Sequence, residues 1–119
     1  MKIVSKPWGR EEWLELNDQY CFKRLLINAG HRTSLQYHKQ KLETIYVAEG
    51  EAEILLDEEW KTVSVGDFFT VVPPTIHRIV AKTNLVLHEA STPEVDDVVR
   101  LQDDHHRRNG RVKSEHSPA

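Results

Sequence analysis

The sequence has little cysteine, no long apolar run and no excess of basic residues. Its single cysteine, Cys21, cannot close an internal disulfide, so we expect a reducing compartment. No stretch is apolar enough to cross a bilayer, and the opening residues lack the apolar centre of a secretion signal. The 16 Lys and Arg residues are outnumbered by 19 Asp and Glu residues, which argues against a dedicated nucleic-acid binder. We therefore expect a soluble, cytoplasmic protein that binds neither nucleic acid nor membranes.

Apolar residues become rare towards the C terminus. All nine aromatic residues lie at or before Phe69, so the core must come mainly from residues 1–90. A chain of 119 residues is long enough to bury one such core without a disulfide. We predict a single domain over residues 1–104 and a polar, flexible tail over residues 105–119.

The pattern between residues 12 and 90 is that of short β-strands. Runs rich in Val, Ile, Leu, Thr and aromatic residues alternate with turn residues, such as Glu49-Gly50 and Pro73-Pro74. Many short strands in one small domain indicate an antiparallel sandwich, jelly roll or barrel. The predicted strands cover residues 12–16, 20–28, 33–38, 43–48, 51–56, 60–64, 68–72, 76–81 and 84–90.

The sequence leaves two structures open for the segment after the strands. Between Pro93 and Asp104, Val95, Val98 and Val99 are spaced as on one face of a short C-terminal helix, and an extended tail is the alternative.

Four polar residues within the predicted strands suggest a metal site. Gln36 and His38 are two residues apart and share one face of a strand, and Glu43 shares the parity of its apolar neighbours. His77 follows the Pro73-Pro74 corner. This mixture of oxygen and nitrogen donors suits one borderline divalent ion, namely Zn, Mn, Fe, Co or Ni. Taken singly, each histidine is more often a hydrogen-bonded core residue, whereas a buried carboxylate rarely lacks a partner.

The spacing of these residues resembles the two short motifs of the cupin superfamily. Gly30, Gln36, His38, Glu43 and Gly50 fall on the first motif, with Gln36 where many cupins have a histidine. Gly66 and His77 fit the ends of the second motif. The resemblance implies a cupin-type antiparallel jelly-roll β-barrel, a metal ion held by Gln36, His38, Glu43 and His77, and a homodimer.

Further segments narrow the resemblance to the cupin domain of type II mannose-6-phosphate isomerases. They are KPWG at Lys6–Gly9, KRLLINAG at Lys23–Gly30, SLQYH at Ser34–His38 and DDVVR at Asp96–Arg100. That family usually has Arg at the position of Lys41 and Tyr-Gly-Arg in place of His105-His106-Arg107. The guanylyltransferase module to which this domain is often fused is not present in the sequence, so guanylyl transfer is not expected of it.

The resemblance implies a metal-dependent isomerase or epimerase that acts on a sugar phosphate. Such an enzyme needs a base beside the substrate carbon, and Glu89 is our candidate because it shares strand parity with Leu85 and Leu87. It also needs cations for the phosphate. Our candidates are Lys41, Lys23 and Arg78, with Arg24 and Arg100 also available; for each cation an ordinary surface or salt-bridge role is the alternative.

Two other functions remain open from the sequence. One is a non-catalytic cupin that binds a metal and a sugar without turnover. The other is an Fe(II) dioxygenase, which needs an open face of two histidines and a carboxylate and so requires Gln36 to release the ion. Trp8, Trp13 and Trp60 are expected to serve as core or dimer-contact residues rather than as a sugar-stacking platform. No motif supports a catalytic role for the Cys21 thiol.

Overall fold

Strands make up most of the computed structural model, which describes residues 1–116. Among these residues the strands are β1 (Lys2–Lys6), β2 (Gly9–Leu16), β3 (Cys21–Ile27), β4 (Leu35–Tyr37), β5 (Glu43–Glu49), β6 (Glu51–Leu56), β7 (Glu59–Ser64), β8 (Phe68–Val71), β9 (His77–Ala81), β10 (Leu85–Ser91) and β11 (Val99–Gln102). One 3₁₀ turn, Lys113–His116, follows them. The all-β prediction is confirmed.

Two antiparallel sheets enclose the core. The larger has the strand order β1-β2-β3-β10-β5-β8 and the smaller has the order β11-β4-β9-β6-β7. Apolar side chains from both sheets meet between them, for example Ile45 and Leu87 from the larger sheet and Ile54 and Ile79 from the smaller. This arrangement agrees with the predicted jelly-roll barrel.

The core is apolar at one end and charged at the other. In β3, β5 and β10 alternate residues face inward, because successive side chains of a strand point to opposite sides. Glu89 lies opposite Lys23 in the register, and Ser91 lies opposite Glu43. The buried inward residues at the apolar end are Ile27, Val47 and Leu85, and those at the charged end are Lys23, Glu43 and Glu89.

The region after β10 differs from the helical alternative. Residues 93–98 form turns, and β11 pairs with β4, so the short helix considered over residues 93–104 is absent. The side chains of Val95, Val98 and Val99 are half-buried without forming a helix. Strand β1 lies outside the predicted strands; its alternation is visible only in Val4, which is fully buried.

The segment from His105 to His116 makes specific contacts with the barrel. Arg107 binds Asp103 at 2.9 Å and Glu115 at 3.1 Å, and Glu115 also binds Lys6 of β1 at 2.8 Å. The ring of His116 packs edge-on against Trp13, with 5.4 Å between the centroids. The predicted flexibility of residues 105–119 stays a prediction, and residues 117–119 lie outside the described part of the chain. Within residues 1–116, no helix has the length and apolar character needed to cross a membrane.

Candidate metal centre

Two histidines and a glutamate converge at the charged end of the core. His38 follows β4, Glu43 opens β5 and His77 opens β9, and all three are buried. Glu43 Oε1 lies 3.6 Å from His38 Nε2 and 3.5 Å from His77 Nε2. Ligand atoms about 2.1 Å from one ion in a tetrahedral site are about 3.4 Å apart, so these separations suit a shared ion. One potential ligand atom from each residue lies within 4.8 Å of the other two.

Both histidines are held in the tautomer that a metal needs. His38 Nδ1 donates to the carbonyl oxygen of Asp97 at 2.5 Å, and His77 Nδ1 donates to that of Thr75 at 2.9 Å. Since a carbonyl only accepts, each Nδ1 carries the proton and each Nε2 turns its lone pair towards Glu43. Among residues 1–116, no group forms a hydrogen bond with the buried Nε2 of His38. An unpartnered buried lone pair facing a carboxylate fits a metal ligand.

Gln36 lies beside this cluster but turns its oxygen away. Its Nε2 is 3.4 Å from His77 Nε2, while its Oε1 accepts a hydrogen bond from Ser34 Oγ at 2.6 Å. Rotating the amide by half a turn presents the oxygen to the cluster, and the Ser34 hydroxyl can then accept instead of donate. Three of the four predicted ligands are therefore arranged to bind an ion directly, and Gln36 joins them after this rotation.

Lys41 bridges two buried carboxylates at the centre. Its Nζ lies 2.9 Å from Glu43 Oε2 and 3.0 Å from Glu89 Oε2. Burial alone lowers the pKa of this ammonium, but Glu43 and then Glu89 outweigh it and raise the pKa above its ordinary value. Lys41 is therefore charged and compensates the negative charge of the pair.

The two carboxylates next to Lys41 differ in their pKa. Burial raises the pKa of Glu43, but the Lys41 ammonium outweighs burial and holds the pKa well below its usual range. Burial, followed by repulsion from Glu43, raises the pKa of Glu89 despite Lys41. Glu43 is thus ionised, while Glu89 keeps its proton to a higher pH than an ordinary carboxylate does.

Of the other predicted cations, Lys23 points into the cavity beside the metal cluster, whereas Arg78 does not. Lys23 Nζ lies 3.1 Å from Glu11 Oε1 and 4.6 Å from the centre of the Trp13 ring. Arg78 does not line this cavity and donates instead to two backbone carbonyls, those of Thr33 and Gln102, at 2.9 and 3.3 Å. It alternates with His77 along β9, and only His77 faces inward to the cluster.

The remaining aromatic and basic candidates divide between core and surface. Arg24 pairs at 2.7 Å with Glu12, and its side chain is partly exposed. Trp8 and Trp13 are buried, while Trp60 is 55% exposed. Trp13 donates its Nε1 hydrogen to Glu11 at 2.8 Å.

The metal cluster and the buried charged residues around it line one cavity of about 80 Å³, which has room for several water molecules. Six basic side chains line it against four carboxylates, although the whole chain carries a net charge of −3. Lys6 and Arg107 are paired with Glu115 and Asp103, which do not line the cavity, so the lining count alone does not make the cavity cationic. The basic residues are Lys6, Lys23, Lys41, Arg100, Arg107 and Arg111, and the acidic ones are Glu11, Glu43, Glu89 and Asp96.

Several of these positions are not among the predicted site residues. Lys6 reaches the cavity from β1, a strand that was not predicted, and Glu11 reaches it from β2. Arg107 reaches the cavity from the segment that was expected to be a tail. Asp97 is a further unpredicted residue, although it faces the loop after His38. The resemblance of KPWG and DDVVR to family segments is the available signal for Lys6 and Asp97, but it carries no information on which side chains meet.

Comparisons with known proteins agree with the fold. The family described as "Mannose-6-phosphate isomerase C-terminal" matches residues 1–104. A mannose-1-phosphate guanylyltransferase of Escherichia coli K12 is 28% identical over 114 residues, which are 92% of this chain and only 23% of that protein.

Solved structures with the same fold include a cupin and a dioxygenase. An RmlC-like cupin from Shewanella frigidimarina superposes with a TM-score of 0.71 at 24% identity, covering 77% of this chain and 83% of that one. A salicylate 1,2-dioxygenase from Pseudoaminobacter salicylatoxidans superposes with a TM-score of 0.60 at 20% identity, covering 63% of this chain and 20% of that one.

Proposed function

The chain belongs to the family of the mannose-6-phosphate isomerase C-terminal domain, a cupin domain, and from this membership we propose that it is a metal-dependent isomerase or epimerase acting on a sugar phosphate. The observation that carries the proposal is the pairing of a His38–Glu43–His77 cluster with a second buried carboxylate, Glu89, across Lys41.

His38, Glu43 and His77 are the residues that would hold the ion, with Gln36 as a fourth ligand after rotation of its amide. The donor set suits Zn, Mn, Fe, Co or Ni. When bound, a divalent ion polarises a carbonyl group of the substrate, so that the carbon next to the carbonyl loses its proton more easily.

The chain's own residues supply the proton transfer and the binding of the anionic end. Glu89 is our proposed base: its raised pKa lets it accept a proton from the carbon beside the carbonyl and return it to the neighbouring carbon. Lys41 holds Glu89 and Glu43 at fixed positions. Lys41 and Lys23 add positive charge for a phosphorylated substrate.

The test is turnover by the full chain. After metal analysis and loading with each divalent ion in turn, we expect a coupled assay to detect interconversion of mannose 6-phosphate and fructose 6-phosphate. His38→Ala should lose the ion and the activity together. Glu89→Gln should keep the ion and lose at least about 100-fold in kcat, as removal of a general base usually does. Glu58→Gln, an exposed carboxylate of the β6–β7 turn, is the control and should behave like the wild type.

Two other results would replace the proposal. If the ion binds through His38 and no sugar phosphate turns over with any metal, the protein is a metal- and sugar-binding module. If Fe(II) supports oxygen uptake, it is a dioxygenase. The dioxygenase alternative has an observation in its favour, because Gln36 turns its oxygen to Ser34 and leaves a face of two histidines and one carboxylate. A dioxygenase also shares the fold.

We also propose that the protein is a homodimer working in the cytoplasm. A row of rings crosses the outer face of the larger sheet: Tyr46 lies opposite both His88 and Phe68, and the His88 ring lies 6.1 Å from that of Phe22. Phe68 is 70% exposed and Tyr46 45% exposed, so this row presents apolar rings to solvent. A second copy packed on this row buries it. Sedimentation equilibrium should give twice the chain mass, and Tyr46→Glu should give the single mass; a wild-type monomer contradicts the dimer.

A further inference from the structure

The segment that follows β11 covers the cavity of the metal cluster. Four of its residues line this cavity, namely Arg107, Gly110, Arg111 and His116. We call residues 105–116 the C-terminal strap. The family match ends at residue 104, so the strap is not among the residues on which the family assignment rests. Its position over the cavity is therefore a feature that family membership does not explain.

The first anchor of the strap is the smaller sheet. Arg111 Nε donates to Asp96 Oδ1 at 2.8 Å, and the Gly110 N–H donates to Val98 O at 2.9 Å. Arg100 NH1 donates to the carbonyl oxygen of Gly110 at 3.1 Å. These contacts hold the strap against β11 and against the turn that precedes it.

The second anchor is the larger sheet. Glu115 accepts hydrogen bonds from Lys6 of β1 at 2.8 Å and from Arg107 at 3.1 Å, and all three side chains are largely buried. The His116 ring packs edge-on against Trp13 of β2, with 5.4 Å between the centroids. Since β11 belongs to one sheet and β1 and β2 to the other, the strap spans the gap between the two sheets at the cavity.

The strap also closes the opening of the cavity. Of the residues within 1–116 that line the cavity, only Asp96 and Arg111 are exposed, and these two form an ion pair with each other. The enclosed volume is about 80 Å³. Pockets that bind small organic molecules typically measure about 300–1,000 Å³. The closed cavity therefore has room for an ion and a few water molecules, and a sugar phosphate needs the strap to move.

The strap has the composition of a segment that opens easily. Val112 is its only aliphatic residue, so little apolar burial holds it in place. No group of residues 1–116 forms a hydrogen bond with the buried Nδ1 of His116 or with the buried Nε of Arg100. Unpaired buried polar atoms are costly, and opening gives both atoms access to water. Segments with few apolar contacts open at a lower free energy than the core does.

We propose that the strap is a lid that gates the metal cavity, so that a ligand larger than a few water molecules reaches the His38–Glu43–His77 cluster only when the lid opens. This inference rests on the proposed function in taking the cluster as the ligand-binding end of the cavity. Glu115 is the main latch of the lid, because both of its carboxylate oxygens bind largely buried cations. The exposed pair of Arg111 and Asp96 contributes less, since water and salt screen it.

The first experiment measures opening on the indole N–H of Trp13. This group donates to Glu11 Oε1 at 2.8 Å and lies beside His116, so its hydrogen exchanges with solvent when the lid opens. Its signal is assigned by its loss in Trp13→Phe. In the full-length, metal-free wild type we expect its protection from exchange to be at least about tenfold lower than that of the slowest amides of β10, which exchange through global unfolding. Equal protection would overturn the lid, because the cavity would then open only with the whole fold.

Glu115→Gln tests the latch, and Glu51→Gln is the matched control. Glu115→Gln keeps the shape of the side chain and removes its charge, so the indole of Trp13 should lose about tenfold of its protection while the β10 amides stay within about twofold. Glu51→Gln breaks a surface pair with Lys82 at 3.1 Å away from the cavity and should change neither. The lid is overturned if the two variants give equal indole protection, and also if Glu115→Gln lowers the protection of the indole and of the β10 amides in parallel.

The second experiment measures access to the cluster from outside. Ethylenediaminetetraacetate is larger than the closed cavity, so the rate at which it removes zinc from the loaded wild type should reach a plateau set by lid opening. The plateau should rise about tenfold in Glu115→Gln, while the equilibrium zinc affinity stays within about twofold because Glu115 shares no partner with the cluster. An unshifted plateau overturns the lid. If the chain binds no zinc, the proposed metal site fails and the indole exchange still decides the lid. If zinc binds and the indole exchange is the same in Glu115→Gln as in the wild type, the metal site stands and the lid fails.

Discussion

Asp97 offers the most direct test of how the metal centre is positioned. Its carboxylate accepts backbone N–H groups of Lys39, Gln40 and Lys41 at 3.0, 2.7 and 3.0 Å. Its own carbonyl oxygen accepts the His38 Nδ1 hydrogen. The loop between His38 and Glu43 is thus fastened to one residue of the C-terminal segment, and Asp97→Ala removes the three carboxylate contacts while leaving the carbonyl.

We expect this substitution to weaken both metal binding and folding, by similar free energies. Hydrogen bonds to a charged group contribute about 1.5–3 kcal/mol each when buried, but Lys39 and Gln40 are exposed and water replaces their lost acceptor. A total loss of about 2 kcal/mol in the free energy of unfolding follows from this partial replacement. Loss of an outer contact that orients a metal ligand typically weakens metal affinity about 10- to 100-fold.

The assay compares Asp97→Ala with Asp18→Ala. Asp18 is exposed in the turn between β2 and β3 and does not line the cavity, so its replacement should change stability by at most about 0.5 kcal/mol. Zinc affinity is measured by competition with a chelator, and stability by urea unfolding of the metal-free chain. Equal zinc affinities in the two variants would refute the reasoning that the loop contacts position His38.

Three further predictions concern stability. Zinc at 100 times its dissociation constant should stabilise the fold by about 2.7 kcal/mol and raise the melting temperature by roughly 10 °C in differential scanning fluorimetry, and no rise would contradict the site. Leu87→Ala, at a fully buried core position, should cost about 2–5 kcal/mol in urea unfolding, and a loss below about 1 kcal/mol would show that the core there is loosely packed. Burial raises the pKa of Glu11, but Lys23 and Lys6 outweigh burial and lower that pKa to about 2. Burial likewise raises the pKa of Asp103, but Arg107 outweighs it and lowers that pKa to about 2. A lowered folded-state pKa means that the unfolded chain binds protons more readily, so this stability is complete above about pH 4.5 and is lost as the pH falls towards 2; Glu11→Gln should flatten that dependence in urea titrations.

The sequence predicts the inward face of the strands well, because a strand has a simple period. The parity argument that placed Glu89 with Leu85 and Leu87 is confirmed by the burial of all three. The same argument separates His77 from Arg78. Opposite parities cannot both face the cavity, and the structure turns Arg78 to the carbonyl of Thr33.

Pairings between distant segments explain what local pattern could not predict. The valines after Pro93 have helical spacing, yet their segment forms a turn and then enters β11, which pairs with β4. The orientation of the Gln36 amide depends on Ser34, and the tautomer of His38 depends on Asp97, 59 residues further along the chain. Hydrogen bonds of this kind carry no periodicity, so they leave no trace in the sequence.

The residues proposed to hold the metal come from both sheets. Glu43 belongs to the larger sheet, while Gln36 and His77 belong to the smaller one. An ion held by them acts as a crosslink between the two layers, at the end of the interior where few apolar side chains join them. Removing it should let the layers separate at that end first, while the end around Ile27 and Val47 stays closed. Amide exchange in β4 and at the start of β5 and β9 is then the earliest signal of metal loss, ahead of any change in the overall fold.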